Sequence, residues 1–263
     1  VIRERTTGTA HVSFQQHSGK TTVDQQSCSG LLRVSRPVYR GVATYPEIQL
    51  IHLGPGCMNT DTYVQQLVVG EEARAVVGYQ SYSKALPGAT GSTMHTMITL
   101  GERSQLMLKP NVVIPFKDAR YAATTQVQLA SGASAAMSDI LVSRQDTQSD
   151  SLACTHVSLT LQVYRDTKLI MRDCLQVGLQ SLGRGRVWSK EFPVIGSYYL
   201  LGDVSRQLEQ ALLQSANSIS STEVRVGVSF FENAGFVIRI LAKRVQLAEQ
   251  VIEALFCAVK SYT

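Results

Sequence analysis

The chain has 263 residues, a hydrophobic share of 44%, a charged share of 17% and a formal net charge of +5. That length buries a sizeable core in one domain spanning 1–263, and the balance excludes a largely disordered chain. There is no run of about 18 apolar residues to suggest a membrane span, and the dispersed basic residues point to acidic protein partners rather than nucleic acid.

Val12-Ser13-Phe14 alternates and leads to a polar turn at His17-Ser18-Gly19-Lys20. Leu31-Leu32-Arg33-Val34 precedes Arg36-Pro37-Val38-Tyr39, where Pro37 suits a strand end or edge. Strands follow at residues 47–53, 62–69, 74–80, 93–100, 105–108, 126–129 and 137–142, with turn residues between them. The turns Val-Gly-Glu-Glu, Leu-Gly-Glu-Arg and Ala-Ser-Gly-Ala recur before apolar strands, a repeat of about 30 residues. Residues 145–151 and the Gly/Arg-rich 182–190 read as loops. Val157–Tyr164 and Lys168–Leu175 form a hairpin across Arg165-Asp166-Thr167. Beyond about residue 203 a helix-hairpin-helix part is expected. A helix covers roughly Arg206–Ala216, capped by Asp203 or Ser205. Val224–Phe230 and Phe236–Ile240 alternate across a turn ending in Gly235, and Val245, Ala248, Ile252, Leu255 and Val259 recur at helical spacing. The expected fold is mainly β, in stacked or coiled β-sheets of solenoid or sandwich type, with two α-helices near the C-terminus.

Ser18-Gly19-Lys20-Thr21-Thr22 resembles a fragment of a phosphate loop. The first glycine of that motif would fall at Phe14, and no long helix follows Thr22. No Gly-x-Ser-x-Gly elbow or His-Glu-x-x-His is present. An enzyme using the Ser18–Thr22 turn or a triad assembled in space is the alternative reading. Cys28, Cys57, Cys154, Cys174 and Cys257 lack metal spacing and suit a reduced, cytoplasmic chain, and Val1–Arg5 lacks a signal-peptide core.

The loop Gly54-Pro55-Gly56-Cys57-Met58-Asn59-Thr60-Asp61 gathers a thiol, a thioether and a carboxylate beside His52. It is either a contact for a passing divalent metal or an ordinary turn, with Asp61 capping amides and Cys57 and Met58 filling core. His95 and Met97 share a strand face but have no third ligand in sight. Ile114-Pro115-Phe116-Lys117-Asp118-Ala119-Arg120-Tyr121 reads as a docking surface or as a strand connection.

Three segments, in order, resemble the urease accessory protein family UreD, also called UreH. Leu32-Arg33-Val34 with Arg36-Pro37-Val38-Tyr39 is similar to the family's first element, and Pro55-Gly56-Cys57-Met58-Asn59-Thr60-Asp61 to its Pro-Gly-Gly-x-x-x-Gly-Asp loop. Gln80-Ser81-Tyr82-Ser83-Lys84, Ile114–Tyr121 and Ser138-Asp139-Ile140-Leu141-Val142-Ser143-Arg144 resemble the third group. Cys57, Thr60, Asp139 and Ser143 depart from the family pattern. The resemblance covers about residues 10–260. It implies a non-enzymatic, β-rich scaffold that binds apo-urease and UreF, recruits the GTPase UreG through UreF, and passes nickel inward. No tightly bound cofactor is implied, and the nickel is transient. A homodimer within the complex is compatible with it; nucleic acid and membrane are not expected partners. A transit path favours moderate-affinity oxygen ligands. Glu47, Asp61 and Asp139 are the candidate acids, with Cys57 and Met58 as softer contacts. Lys84, Phe116, Arg120 and Tyr121 are the candidate partner-binding residues.

Overall fold

A computed structural model describes residues 6–142, 156–178, 191–202, 219–232 and 234–260, with positions 210 and 214. The chain opens with a hairpin, β1 (Gly8–His17) and β2 (Lys20–Gly30). Its two turn residues, Ser18 and Gly19, both have positive φ, the twist-matching geometry of a tight hairpin. The phosphate-loop fragment is therefore a turn between strands, with the Lys20 ammonium 4.3 Å from the centroid of the Tyr39 ring.

From there the chain winds between two sheets. The front sheet receives β5 (Thr62–Val69), β8 (Ser92–Leu100), β10 (Arg120–Leu129) and β12 (His156–Arg165). The back sheet receives β3 (Leu32–Val34), β4 (Glu47–His52), β6 (Arg74–Tyr79), β7 (Ser83–Ala85), β9 (Gln105–Pro115) and β11 (Ser134–Val142). Neighbours β1, β5, β8, β10 and β12 pair in parallel, as do β4, β6, β9 and β11. Register partners such as Val64, His95 and Thr124, or Ala75, Leu106 and Ala135, step by about 30 residues. The coil stops at antiparallel edges. β13 (Lys168–Gly178) folds back on β12, while β14 (Val194–Leu201), β16 (Gly235–Ala242) and β15 (Val224–Phe231) extend the back sheet. The fold is thus mainly β, with a coil only in its middle. Among the described residues one helix stands out, α1 (Val245–Lys260). The helix expected near 206–216 falls largely outside the described residues, as do the loops at 145–151 and 182–190.

Stacked corners hold the coil. At one corner Glu72, Arg103 and Gly132 all take positive φ, and the turns hydrogen-bond to one another through Glu72 N to Glu102 O and Arg103 N to Ser131 O. Arg103 pairs with Glu71, Glu72 and Glu102 across two of these turns. At the other corner Thr60, Gly91 and Asp118 take positive φ. There Thr60 N bonds to Gly91 O, and Gly88 N to Asp118 O.

Two apolar cores flank the back sheet. Phe14, Leu67, Ile98, Leu108, Val127, Leu141 and Val163 fill the space between the sheets. Ile140, Tyr198, Phe236, Ile238, Ile240, Ala248, Ile252, Leu255 and Phe256 form the second core, beneath α1. β14 is buried at every position, because sheet covers one face and helix the other. A strand covered on both faces shows no alternation, and so it escapes a periodicity reading.

Packing at the corners generates a stability test. A Cβ on Gly101 would lie 2.8 Å from the backbone nitrogen of Glu71, whereas one on Gly227 meets nothing within 4 Å. Gly101→Ala is expected to cost about 1–3 kcal/mol of unfolding free energy. Gly227→Ala should change it by less than about 0.5 kcal/mol, and denaturant melts of both variants check this.

Candidate functional site

The Gly54–Asp61 loop is a corner of the coil. Asp61 accepts hydrogen bonds from Thr7 Oγ1 (3.0 Å) through Oδ1, and from Met58 N (2.7 Å) and Tyr63 Oη (2.9 Å) through Oδ2. These bonds fix the turn, so Asp61 acts as a cap. Cys57 is 2% exposed. Its backbone is clamped by Lys84 O and Leu86 N, and burial, with the Asp61 charge adding to it, pushes its thiol up to about 12. It is a neutral core group at physiological pH. Met58 stands outside, 51% exposed. His95 and Met97 point to solvent on the front sheet.

Glu47 lies on the outer face of the back sheet. Arg40 Nε and Lys109 Nζ bind its carboxylate at 2.5 and 2.7 Å. Burial works to raise its pKa, but these two cations outweigh it and hold the carboxyl below its usual range. Glu47, Asp61 and Asp139 therefore stand in three different places. Among the described residues no group of three or more His, Cys, Asp or Glu gathers to hold a metal. Of the expected partner-binding residues, Lys84 and Arg120 are exposed and Phe116 is half-buried. Tyr121 is 2% exposed and packs between the sheets, so it is a core residue and not a surface contact. Its inward turn follows from strand alternation after the Asp118 corner.

The third acid has a different setting. On the front sheet Gln65, Thr96, Thr125, Leu161 and Asp173 are successive register partners. On the back sheet Asn111, Asp139, Ser197 and Arg239 are successive partners. Alternation turns both rows inward, since the flanking Leu67, Ile98, Met137 and Leu141 belong to the inter-sheet core. A polar layer therefore crosses an apolar sandwich. At one end Tyr79 Oη and Thr96 Oγ1 donate to Gln65 Oε1 at 3.4 and 3.3 Å. At the other end Arg239 Nη2 donates to both Asp173 oxygens at 2.9 and 2.8 Å, and Tyr199 Oη donates to Oδ2 at 2.6 Å. Arg239 Nη1 also donates to Ser197 Oγ. Burial acts against the Arg239 charge, while Tyr199 and Asp173 stabilise it and keep the guanidinium protonated.

Asp139 sits within this layer and is half-buried. Among the described residues it receives no hydrogen bond. Burial pushes its carboxyl up to about 6, against the pull of Arg239 and with a further push from Asp173. Its charge also contributes to the raised pKa of Tyr79, Tyr121 and Tyr199, after burial as the main cause. Nearer the Gly54–Asp61 corner, Tyr121 Oη, Ser92 Oγ and His52 Nε2 are buried without a partner among the described residues. Buried polar atoms of this kind are normally matched by water or an ion.

Gln65, Thr96, Asp173, Ser197, Tyr199 and Arg239 belong to no sequence motif. Their signal is a polar residue at an inward position of an otherwise apolar alternation, as Gln65 between Tyr63 and Leu67. That signal needs the strand faces assigned first.

Fold and interior define a class, a two-sheet β-coil with a polar layer in its core. The UreD urease accessory protein family model matches residues 6–262. The chain belongs to that family of urease accessory proteins. A urease accessory protein UreD from Lachnoclostridium phytofermentans is 25% identical, over 91% of this chain and 88% of its own length. The Bacillus sp. (strain TB-90) protein of the same name is 25% identical, over 94% and 91% respectively. That of Sporosarcina pasteurii is 26% identical, over 82% and 88%.

Asp139 yields a pH test. The native state keeps its proton to a higher pH than the unfolded chain, so stability is lost as pH rises from the ordinary 3.8 through about 6. Asp139→Asn removes that loss. The variant should unfold with a gain of up to about 3 kcal/mol near pH 8 and with no gain near pH 3.5, as read from melts at the two pH values.

Proposed function

We propose that the protein is a non-catalytic scaffold of urease maturation that passes nickel through its interior to apo-urease. It binds UreF and apo-urease, and the GTPase UreG joins through UreF. Family membership supports the maturation role, and no helix among the described residues is long and apolar enough to cross a membrane.

The observation that carries the transit reading is Asp139, a half-buried carboxylate in the layer between the sheets to which none of the described residues donates a hydrogen bond. A structural carboxylate in a core is normally paired or bonded, as Asp173 and Glu47 are here. An unpaired one is poised for an arriving cation. A single carboxylate with hydroxyl and amide oxygens around it binds a divalent ion only moderately, which suits passage rather than storage. Nickel takes the place of the proton and of the missing donors, then leaves for a stronger site. Cys57, with its thiol neutral, and Asp61, with both oxygens bonded, serve the corner that holds the path open, while Met58 stands on the surface.

Urease activation with UreF, UreG, apo-urease and nickel tests this. Asp139→Asn is expected to lower the activated fraction by about tenfold, one charge-assisted contact of roughly 1.4 kcal/mol or more, while pull-down of UreF stays as in the unaltered protein. Full activation by the variant would remove Asp139 from the path.

A further inference from the structure

The back sheet has a break in it. The β6–β9 ladder ends at Val77 and Leu108, and pairing to β9 resumes only with β7, at Ser83 and Val113. Residues 78–82 on one side and Lys109, Pro110 and Val112 on the other line a cleft of about 260 Å³, completed by Gln49 and Glu249. Glu249 belongs to α1, which packs on the outer face of this sheet, so the cleft opens outward. Its floor reaches the interior layer: Tyr79 lines the cleft and also donates to Gln65 on the front sheet. Asn111, between Pro110 and Val112, is the register partner of Asp139 and accepts from Ser83 Oγ at 2.8 Å. Over the mouth, Tyr82 Oη donates to Glu249 Oε1 at 2.9 Å and ties the 78–82 segment to the helix.

We propose that this break is a side port through the back sheet, by which a small hydrated cation reaches Asp139, with the Tyr82–Glu249 bond as its latch. The proposal rests on the transit reading above and gives it a location. The lining is mixed, but it includes the amides of Gln49 and Gln80 and the hydroxyls of Tyr79, Ser81 and Tyr82, groups whose oxygens can meet a cation, and the Lys109 charge is matched by Glu47 at 2.7 Å. The latch joins an exposed tyrosine to a half-buried carboxylate. Such a bond opens without disturbing either core.

Substituted-cysteine accessibility tests the port on the full chain. Asp139→Cys is treated with 2-aminoethyl methanethiosulfonate, a small cation. The thiolate attacks the reagent's sulfur, a mixed disulfide forms and methanesulfinate leaves. Peptide mass spectrometry reads each position separately. Buried Cys57 should stay unmodified and report an intact fold, and exposed Cys174 gives the reference rate. Adding Ser81→Trp, which fills the cleft, is expected to slow modification at 139 by about tenfold, since exchange rates follow access. Adding Tyr82→Phe should speed it. A rate at 139 indifferent to Ser81→Trp would overturn the port. Thr125→Cys, across the layer on the front sheet, carries the same assay if Asp139→Cys fails to fold. Nickel is added as a separate arm on Thr125→Cys, which keeps the Asp139 carboxylate. A plug-sensitive rate that nickel does not slow would leave the port standing and reject the transit of nickel.

Discussion

Among the described residues one contact spans the space between the sheets with full charge at both ends, the pair of Arg239 on the back sheet and Asp173 on the front sheet. Two charges leave water to make it, and such a pair holds only when its remaining hydrogen-bonding groups are met. Tyr199 completes the carboxylate and Ser197 the guanidinium. The pair is half-buried, its side chains 26% and 16% exposed, and its bidentate geometry fixes how the antiparallel end of the back sheet lies over β13. The polar layer depends on that alignment, since Asp139 is one strand from Ser197 and two from Arg239.

The same pair explains why Asp139 stays unneutralised. Arg239 is the cation near enough to lower its pKa, and it directs its hydrogen bonds to Asp173 and Ser197. Asp139 feels the guanidinium charge without a bond to it, and burial wins. A carboxylate placed this way destabilises the fold above about pH 6. Function is the usual reason for keeping such a group. The coil provides the setting: one inward position per strand, repeated every turn, becomes a row across the sheet, and two facing rows become a layer.

The coil was legible in the sequence because its corners need particular residues. Gly-Glu-Glu, Gly-Glu-Arg and Ser-Gly-Ala recur because one residue of each turn takes positive φ. The Pro55–Asp61 loop and the Lys117–Tyr121 segment, which carry much of the family likeness, form the opposite corners. Their shared pattern is largely a record of how the chain bends. That is why Asp61 proved to be a cap and Tyr121 a core residue. The β2 edge strand, polar along much of its length, and β14, buried throughout, gave no alternation to read. Asp139 lies in a segment that carries the family likeness, but its neighbours in the layer do not. Asp173 and Arg239 are 66 residues apart in the chain, and only the folded register places them together.

Asp139 is a half-buried carboxylate in the polar layer between the sheets, with no hydrogen bond to it from the described residues. Carboxyl-carbon NMR of the full chain, with Asp139 assigned by its loss in Asp139→Asn, measures this directly. A titration midpoint for Asp139 close to 6, more than about one unit above an ordinary aspartate, is the expected result. A midpoint at or below the ordinary 3.8 would mean that water or a cation stabilises the Asp139 carboxylate in solution, and the account of Asp139 as a carboxylate waiting for a cation would fail.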